Sequence, residues 1–449
     1  MHDELQPNAD LDRLPRESIH RLTEPFARFL RIESAGGAIL LACTVAALVL
    51  SNSPWAHDFL AVWETPVGLR VGSLEFARAL KEWINDGLMT LFFFVVAAEL
   101  KRELVLGELR SPRMAALAIS AALGGMVVPA GLYLVLQWGL PGEGGWGTVM
   151  ATDTAFVIGC LALMGTRLPH SLRIFMLSTA IVDDIGAIMV VAIGYSSHIA
   201  WDALAFGALG IGGVGVMAQV GIRSILAFLL VGCFVWLAID ASGIHTTITG
   251  VILGLMTPAR RWVSDRRLYA ILGRVIAHPS GAEGSGDTKD RHTLHAAELA
   301  ARESLSPAER VQKALHPWVG FIVMPLFALA NAGVPLSMGD LGSSVTFAIV
   351  IAFTLGKPIG VLSFSWLAVR LGVAIRPPGL SWALLAGGSL LAGIGFTMAL
   401  FIANLAFDKT LIDQAKIGIL LASVLSAAGG LTLLTWVGSG RRLHEVDPD

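Results

Sequence analysis

The chain has 449 residues, 55% of them hydrophobic and only 15% charged, with a net charge of −2 and a mean hydropathy of +0.69. A water-soluble protein of this length needs far more charge to cover its surface, so the composition excludes a soluble globular protein and points to a polytopic membrane protein. The net charge says nothing about partners. The three cysteines, Cys43, Cys160 and Cys233, each lie in an apolar segment, without metal spacing or a disulfide framework.

The first thirty-odd residues are polar and charged, so no cleavable leader is expected. They form a tail, 1–34. A membrane span needs roughly 20 apolar residues. Twelve stretches qualify: 35–51, 84–100, 114–137, 146–165, 172–194, 201–221, 224–239, 244–257, 315–334, 344–369, 380–406 and 412–436. The organisation predicted is tail 1–34, spans one to eight over 35–257, a long loop 258–313, spans nine to twelve over 314–436, and a tail 437–449.

Basic residues test the count independently, because cytoplasmic loops are rich in Lys and Arg. The N-terminal tail carries Arg13, Arg16, Arg21, Arg28 and Arg31. Lys101, Arg102, Arg110 and Arg113 follow span two, Arg167 and Arg173 follow span four, and Arg223 follows span six. The loop after span eight has ten basic residues from Arg260 to Lys313. Arg370 and Arg376 follow span ten, and the C-terminal tail has Arg441 and Arg442. The intervening loops near 138–146, 195–200, 240–243 and 335–343 contain none. The exceptions are Arg70, Arg78 and Lys81 in the first outer loop and Lys409 in the last. The alternation argues for twelve spans with both termini cytoplasmic.

Two loops are long. The first, about 52–83, contains "FLAVWETPVGLRVGSLEF", whose alternation around Thr-Pro and Gly suggests a short β-hairpin. The second contains "HPSGAEGSGDTKD", a flexible composition, followed by "HTLHAAELAARESLSPAERVQ", which suggests a short cytoplasmic helix.

Asp183 and Asp184 stand side by side in the apolar run "STAIVDDIGA". They lie about fifteen residues after Pro169, in a basic inner turn; at a rise of about 1.5 Å per residue this depth is near the bilayer middle. Asp153, sixteen residues before Pro169, reaches a similar depth, as does Lys357, thirteen residues before Arg370. Each such charge costs about 2.5–3.5 kcal/mol at the centre of a span. Four scattered liabilities make little sense, whereas a cluster facing water or one another does. A purely structural pair of Lys357 with one aspartate leaves two carboxylates unexplained.

Carboxylates, carbonyls and the hydroxyls of Thr152 and Thr154 suit a hard cation. Neighbouring helical residues point about 100° apart, so Asp183 and Asp184 have different partners. Three acids and one base total −2. One monovalent cation cancels one of those charges, whereas protons can cancel both, which predicts exchange of a cation for more than one proton.

"GGWGTVMATDTAFVIGC" in span four is interrupted by polar residues, and "LLAGGSLLAGIGFTMALF" in span eleven by Gly387, Gly388, Gly393 and Gly395. Irregular backbone at membrane depth is tolerated only where it lines a cavity or packs on protein. Spans four and eleven are the middles of triplets three to five and ten to twelve, which an odd number of spans places in opposite orientation. Such paired interruptions mark a transporter's binding site.

The stretches "FFFVVAAELKREL", "GGMVVPAGLY", "ATDTAFVIGCLALMG", "IVDDIGAI", "SGIHTTITGVILG", "LHPWVGFIVMPLFALANAGV", "LGKPIGV" and "AGIGFTMALFIANLAF" resemble, in order, the bacterial NhaA-type Na⁺/H⁺ antiporters. The resemblance implies an all-α polytopic membrane protein of twelve transmembrane helices, with inverted-topology repeats (spans 3–5 and 10–12) and two broken, crossed helices (spans 4 and 11). It implies that Asp184 is the principal Na⁺/Li⁺ ligand and a proton carrier, and that Asp183 pairs with Lys357 until a cation binds. Asp153 and Thr152 match residues at the crossed helices, with Asp153 balancing helix ends and joining the ion's ligand set, and Asp183 is a further candidate ligand. Lys357 offsets the opposing half-helix ends. Glu99, Glu103, His245 and His316 fall in regions linked to pH response. The family carries a histidine where Lys313 stands and an acid where Gln312 stands, so the pH set-point departs from the family pattern.

The first outer loop fits the family's hairpin, implying a homodimer. A transporter, not an enzyme, is expected, with Na⁺, Li⁺, protons and the lipid bilayer as partners, no nucleic acid and no cofactor. A Na⁺-coupled solute symporter shares the broken-helix architecture but needs a wider polar cavity. A channel needs a continuous path. A membrane protease needs paired aspartates that converge.

Overall fold

Helices lie in each of the twelve expected stretches, broken within the fourth and the eleventh, in the computed structural model, which describes residues 33–71, 74–107, 110–195, 199–221, 225–259, 263–276, 288–336 and 338–445. The N-terminal tail up to residue 32, with its five arginines, the Gly/Ser-rich stretch 277–287 and the last four residues lie outside the described residues. In order the elements are α1 (Glu33–Ser51), α2 (Ala56–Glu64), β1 (Pro66–Val71), β2 (Leu74–Ala79) and α3 (Leu80–Leu106). Next come α4 (Pro112–Gln137), a 3-10 half-helix (Glu143–Val149), α5 (Thr154–Leu163), α6 (His170–Gly194), α7 (Trp201–Val220), α8 (Ile225–Ala241) and α9 (Thr247–Met256). The loop after α9 carries α10 (Asp265–Ile276) and α11 (Thr288–Glu303), which pack on each other. The chain closes with α12 (Pro307–Asn331), α13 (Ser344–Arg370), α14 (Trp382–Ala392), α15 (Phe396–Ala406) and α16 (Ile412–Glu445).

By length and composition, seven helices can each cross a membrane, and three bent pairs bring the number to ten. The remaining two expected stretches are the shorter apolar helices α8 and α9. The second span begins earlier than its hydropathy suggests, at Leu80 rather than near 84, because Trp83–Leu88 form a π-turn that carries the polar Asn85 and Asp86 into the helix.

Packing is close where glycines meet. A Cβ on Gly124 of α4 would stand 2.1 Å from the carbonyl oxygen of Gly360 on α13. These two helices therefore touch backbone to backbone, the contact that small residues permit between apolar helices. Pro358 has no N–H to give, and the turn before it, Ala352–Gly356, widens into a π-turn that ends at Lys357. Four fully buried phenylalanines, Phe93, Phe327, Phe353 and Phe401, fill the centre. The Phe93 and Phe401 ring centroids are 5.6 Å apart.

The expected hairpin is a two-stranded antiparallel ribbon pairing Pro66 with Ala79 through Val71 with Leu74. Arg78 anchors its returning strand. The guanidinium lies 3.3 Å from Asp86 of α3, pairs closely with Asp240 of α8, and sits over the Trp236 ring.

Candidate functional site

The two interrupted spans break where they meet. The 3-10 half-helix and α5 diverge by 40° across residues 150–153, and α14 and α15 by 45° across 393–395. At the second break only Gly393 and Gly395 are used as interruptions. Gly387 and Gly388 stay helical, and Leu434 and Met176 fill the space a Cβ would need. The breaks are joined by backbone: Asp153 N donates to Ile394 O at 2.6 Å.

The crossing brings four helix ends together, and each end has a side-chain partner. Asp153 is the N-cap of α5, accepting from Phe156 N at 3.1 Å. Its other oxygen accepts from Thr397 N of α15 at 2.9 Å and from the Thr397 hydroxyl in a short hydrogen bond. One carboxylate thus caps two helix N-termini, whose free N–H groups and partial positive charge favour an anion. Lys357 Nζ donates to Met150 O, at the C-terminal end of the 3-10 half-helix. Thr152 Oγ1 stands 2.9 Å from Ala392 O, at the end of α14. A cation and a hydroxyl donor meet the two carbonyl ends.

On α6, Asp183 and Asp184 point to different neighbours, as their 100° separation requires. Asp183 Oδ2 lies 2.8 Å from Lys357 Nζ and 2.5 Å from Thr152 Oγ1. Thr152 has one proton for two acceptors, Asp183 and Ala392. Asp184 Oδ2 accepts from Thr154 Oγ1 at 3.1 Å. All four ionisable groups are buried: Asp153 and Lys357 are 0% exposed, Asp183 and Asp184 1%. Asp183 Oδ1 and Asp184 Oδ1 are buried with no hydrogen-bond partner. Buried carboxylate oxygens are costly when unpaired, and here two stand on adjacent residues.

Asp183, Asp184, Asp153, Thr152 and Lys357 thus form one constellation, drawn from α6, the first break and α13. The other predicted residues stand apart. Glu103 pairs with Arg102 at 2.9 Å and lines a cavity of about 700 Å³ with Arg110, Ser111, Ile174 and Ser178. Ser178 is six residues before Asp184 on the same helix, about 9 Å of rise. Glu99 is half-buried on α3. His245 places Nε2 3.2 Å from Tyr195 O, at the far end of α6. His316 is exposed near the middle of α12.

Sequence reasoning missed Thr397, which supplies Asp153 with two of its donors, and the carbonyls of Met150 and Ala392. Thr397 had a signal: it follows the glycine break directly in "GIGFTM". The carbonyls had none.

The chain matches the model of the family described as Na⁺/H⁺ antiporter 1 over residues 27–434. It is 60% identical over 435 residues to the Na⁺/H⁺ antiporter NhaA of Rhizobium meliloti (strain 1021), covering 97% of this chain and 100% of that one. It is 53% identical to Na⁺/H⁺ antiporter NhaA 2 of Vibrio vulnificus (strain CMCP6), covering 95% and 96%. With the Na⁺/H⁺ antiporter NhaA of Rhodopirellula baltica the identity is 48%, over 94% and 96%. A match of this extent, on a chain whose two broken helices cross at buried carboxylates, places the protein in the Na⁺/H⁺ antiporter 1 family.

Proposed function

We propose that this protein is an electrogenic antiporter of the bacterial inner membrane that exchanges cytoplasmic Na⁺ or Li⁺ for external protons by alternating access. Its task is Na⁺ and pH homeostasis. The observation that carries the reading is the pair of unpartnered buried oxygens, Asp183 Oδ1 and Asp184 Oδ1, beside one lysine that balances a single carboxylate. That the relatives are Na⁺/H⁺ antiporters supports it.

The cycle follows from charge. With protons loaded, Asp184 is neutral and Asp183 is paired with Lys357. The cavity beside Glu103 and Ser178 serves as the inner entrance. A cation entering there meets Asp184, the hydroxyls of Thr154 and Thr152, and the free oxygen of Asp183. To bind, it displaces the Asp184 proton and competes with Lys357 for Asp183, so a second proton leaves from Asp183 or Lys357. The loaded site then turns outward. Cation and protons compete for the same oxygens, so coupling needs no separate device. Asp153, already capping two helix ends, holds the crossing together while Asp183 and Asp184 change state.

The same competition fixes the sign of the pH response. As pH falls, protons hold the site and transport stops; at neutral to alkaline pH it runs. Twelve spans with both termini in the cytoplasm agree with the basic loops, and the hairpin is the surface through which two protomers pair. The functional test is ΔpH dequenching in inverted vesicles lacking other antiporters, with Na⁺, Li⁺ and K⁺ added across a pH series. Na⁺ and Li⁺ are expected to dissipate the gradient mainly above neutral pH. A wild type inert at every pH, or most active in acid, refutes the reading.

A further inference from the structure

The half-helix Glu143–Val149, on the approach to the first break, is poorly able to hold itself. It has the sequence EGGWGTV and seven residues of 3-10 geometry. Such runs rarely exceed three or four residues, because their hydrogen bonds are strained, and three glycines add to the entropy lost on ordering them. Its shape must come from neighbours.

Tyr195 is one of them. Tyr195 Oη accepts from Gly147 N at 3.0 Å and donates to Gly144 O at 2.9 Å. One hydroxyl thus uses both its roles on one helical turn. The Tyr195 ring also stacks on Trp146 of that turn, with centroids 6.3 Å apart and planes 29° from parallel. The fit requires glycine at 147, where an added Cβ would lie 2.7 Å from Tyr195 Oη. Tyr195 itself caps the end of α6, the helix that carries Asp183 and Asp184. Its carbonyl is the group met by His245.

We infer that Tyr195 is a positioning residue for transport. Its phenol clamps the half-helix Glu143–Val149 to the end of α6, and so sets where Met150 O meets Lys357 and where Thr152 and Asp153 enter the crossing. Gly147 lies three residues before Met150, about 6 Å of 3-10 rise. The clamp therefore fixes one wall of the site relative to the helix that forms the other. It also gives His245 a physical path to the site, through the backbone of the residue that holds the clamp. This rests on the antiport reading for its effect on transport, but not for its effect on the half-helix.

The test uses the full-length protein with two readouts. Amide hydrogen exchange of residues 143–150 in the purified protein reads the clamp. The apparent KM for Na⁺ in inverted vesicles reads its consequence. Tyr195→Phe removes the hydroxyl and keeps the ring; exchange in 143–150 is expected to speed up while α6 stays protected. The apparent KM should rise about 3- to 10-fold, the factor for a net hydrogen bond or slightly more, with the maximal rate near wild type. Gly147→Ala should do the same by pushing the phenol away. Unchanged exchange in 143–150 for Tyr195→Phe overturns the clamp. Faster exchange with an unchanged KM in both variants overturns the positioning role. A wild type that ignores Na⁺ counts against the antiport reading alone, since the exchange rates still decide the clamp.

Discussion

Asp183 and Asp184 are neighbours on one helix, equally buried, and yet in unlike surroundings. The Asp183 corner is a built ion pair: Lys357 at 2.8 Å and Thr152 at 2.5 Å. The Asp184 corner offers one hydroxyl, Thr154, at 3.1 Å. The difference separates two tasks. In the proposed cycle Lys357 holds the Asp183 carboxylate until a cation competes for it, and the pair gives the resting site its structure. One with no ion-pair partner is costly unless a proton or a cation joins it, and in the proposed cycle it is the one that changes partner.

The largest expected effect is at the poorer corner. Asp184→Asn should abolish Na⁺- and Li⁺-dependent dequenching, a loss of more than about 100-fold, since each 1.4 kcal/mol of lost binding is a factor of ten. It should leave folding intact, because the amide keeps the bond to Thr154.

At the other corner the order reverses. Asp183→Asn leaves Lys357 buried without a counter-charge, which costs about 3–5 kcal/mol. Thermal unfolding of the purified protein should show a marked fall. Adding Lys357→Met should recover most of it without restoring electrogenic exchange. If the single variant is as stable as wild type, the division of labour is wrong.

Smaller effects come from the donors. Thr397→Val removes the hydroxyl that meets Asp153, leaving the backbone N–H in place. Loosening the crossing in this way should raise the apparent KM for Na⁺ about 3- to 10-fold, one net hydrogen bond. Thr154→Val removes the hydroxyl partner of Asp184 and should shift KM by less than tenfold. The direction is upward if the hydroxyl is an ion ligand and downward if it mainly holds the proton-loaded form, so the sign assigns its role.

The charged side chains of the site were legible in the sequence, and its backbone contacts were not. Asp183, Asp184, Asp153 and Lys357 announced themselves because charge in an apolar span is expensive, and helical rise alone put them at one depth. The first break was marked by Thr152, Asp153 and Thr154, and the second by its glycines. Which glycines break the helix was not readable, since Gly387 and Gly388 serve packing against Leu434 and Met176, a tertiary fact. Nor were the contacts at the crossing. Met150 O, Ala392 O and Ile394 O are backbone groups, and residue type carries no sign of them. Tyr195 and Gly147 lie 48 positions apart and meet only because α6 returns to the half-helix. The π-turn before Lys357 follows from Pro358, a local signal visible in "LGKPIGV".

The central claim is that a cation and protons compete for the oxygens of Asp184 and Asp183. It is tested most directly by counting protons released when Na⁺ binds the purified protein in weakly buffered detergent solution at slightly alkaline pH, with Asp184→Asn alongside. Wild type is predicted to release more than one proton per Na⁺ bound at saturation, and Asp184→Asn to release none. Na⁺ binding to wild type without proton release, or equal release from Asp184→Asn, would contradict the account.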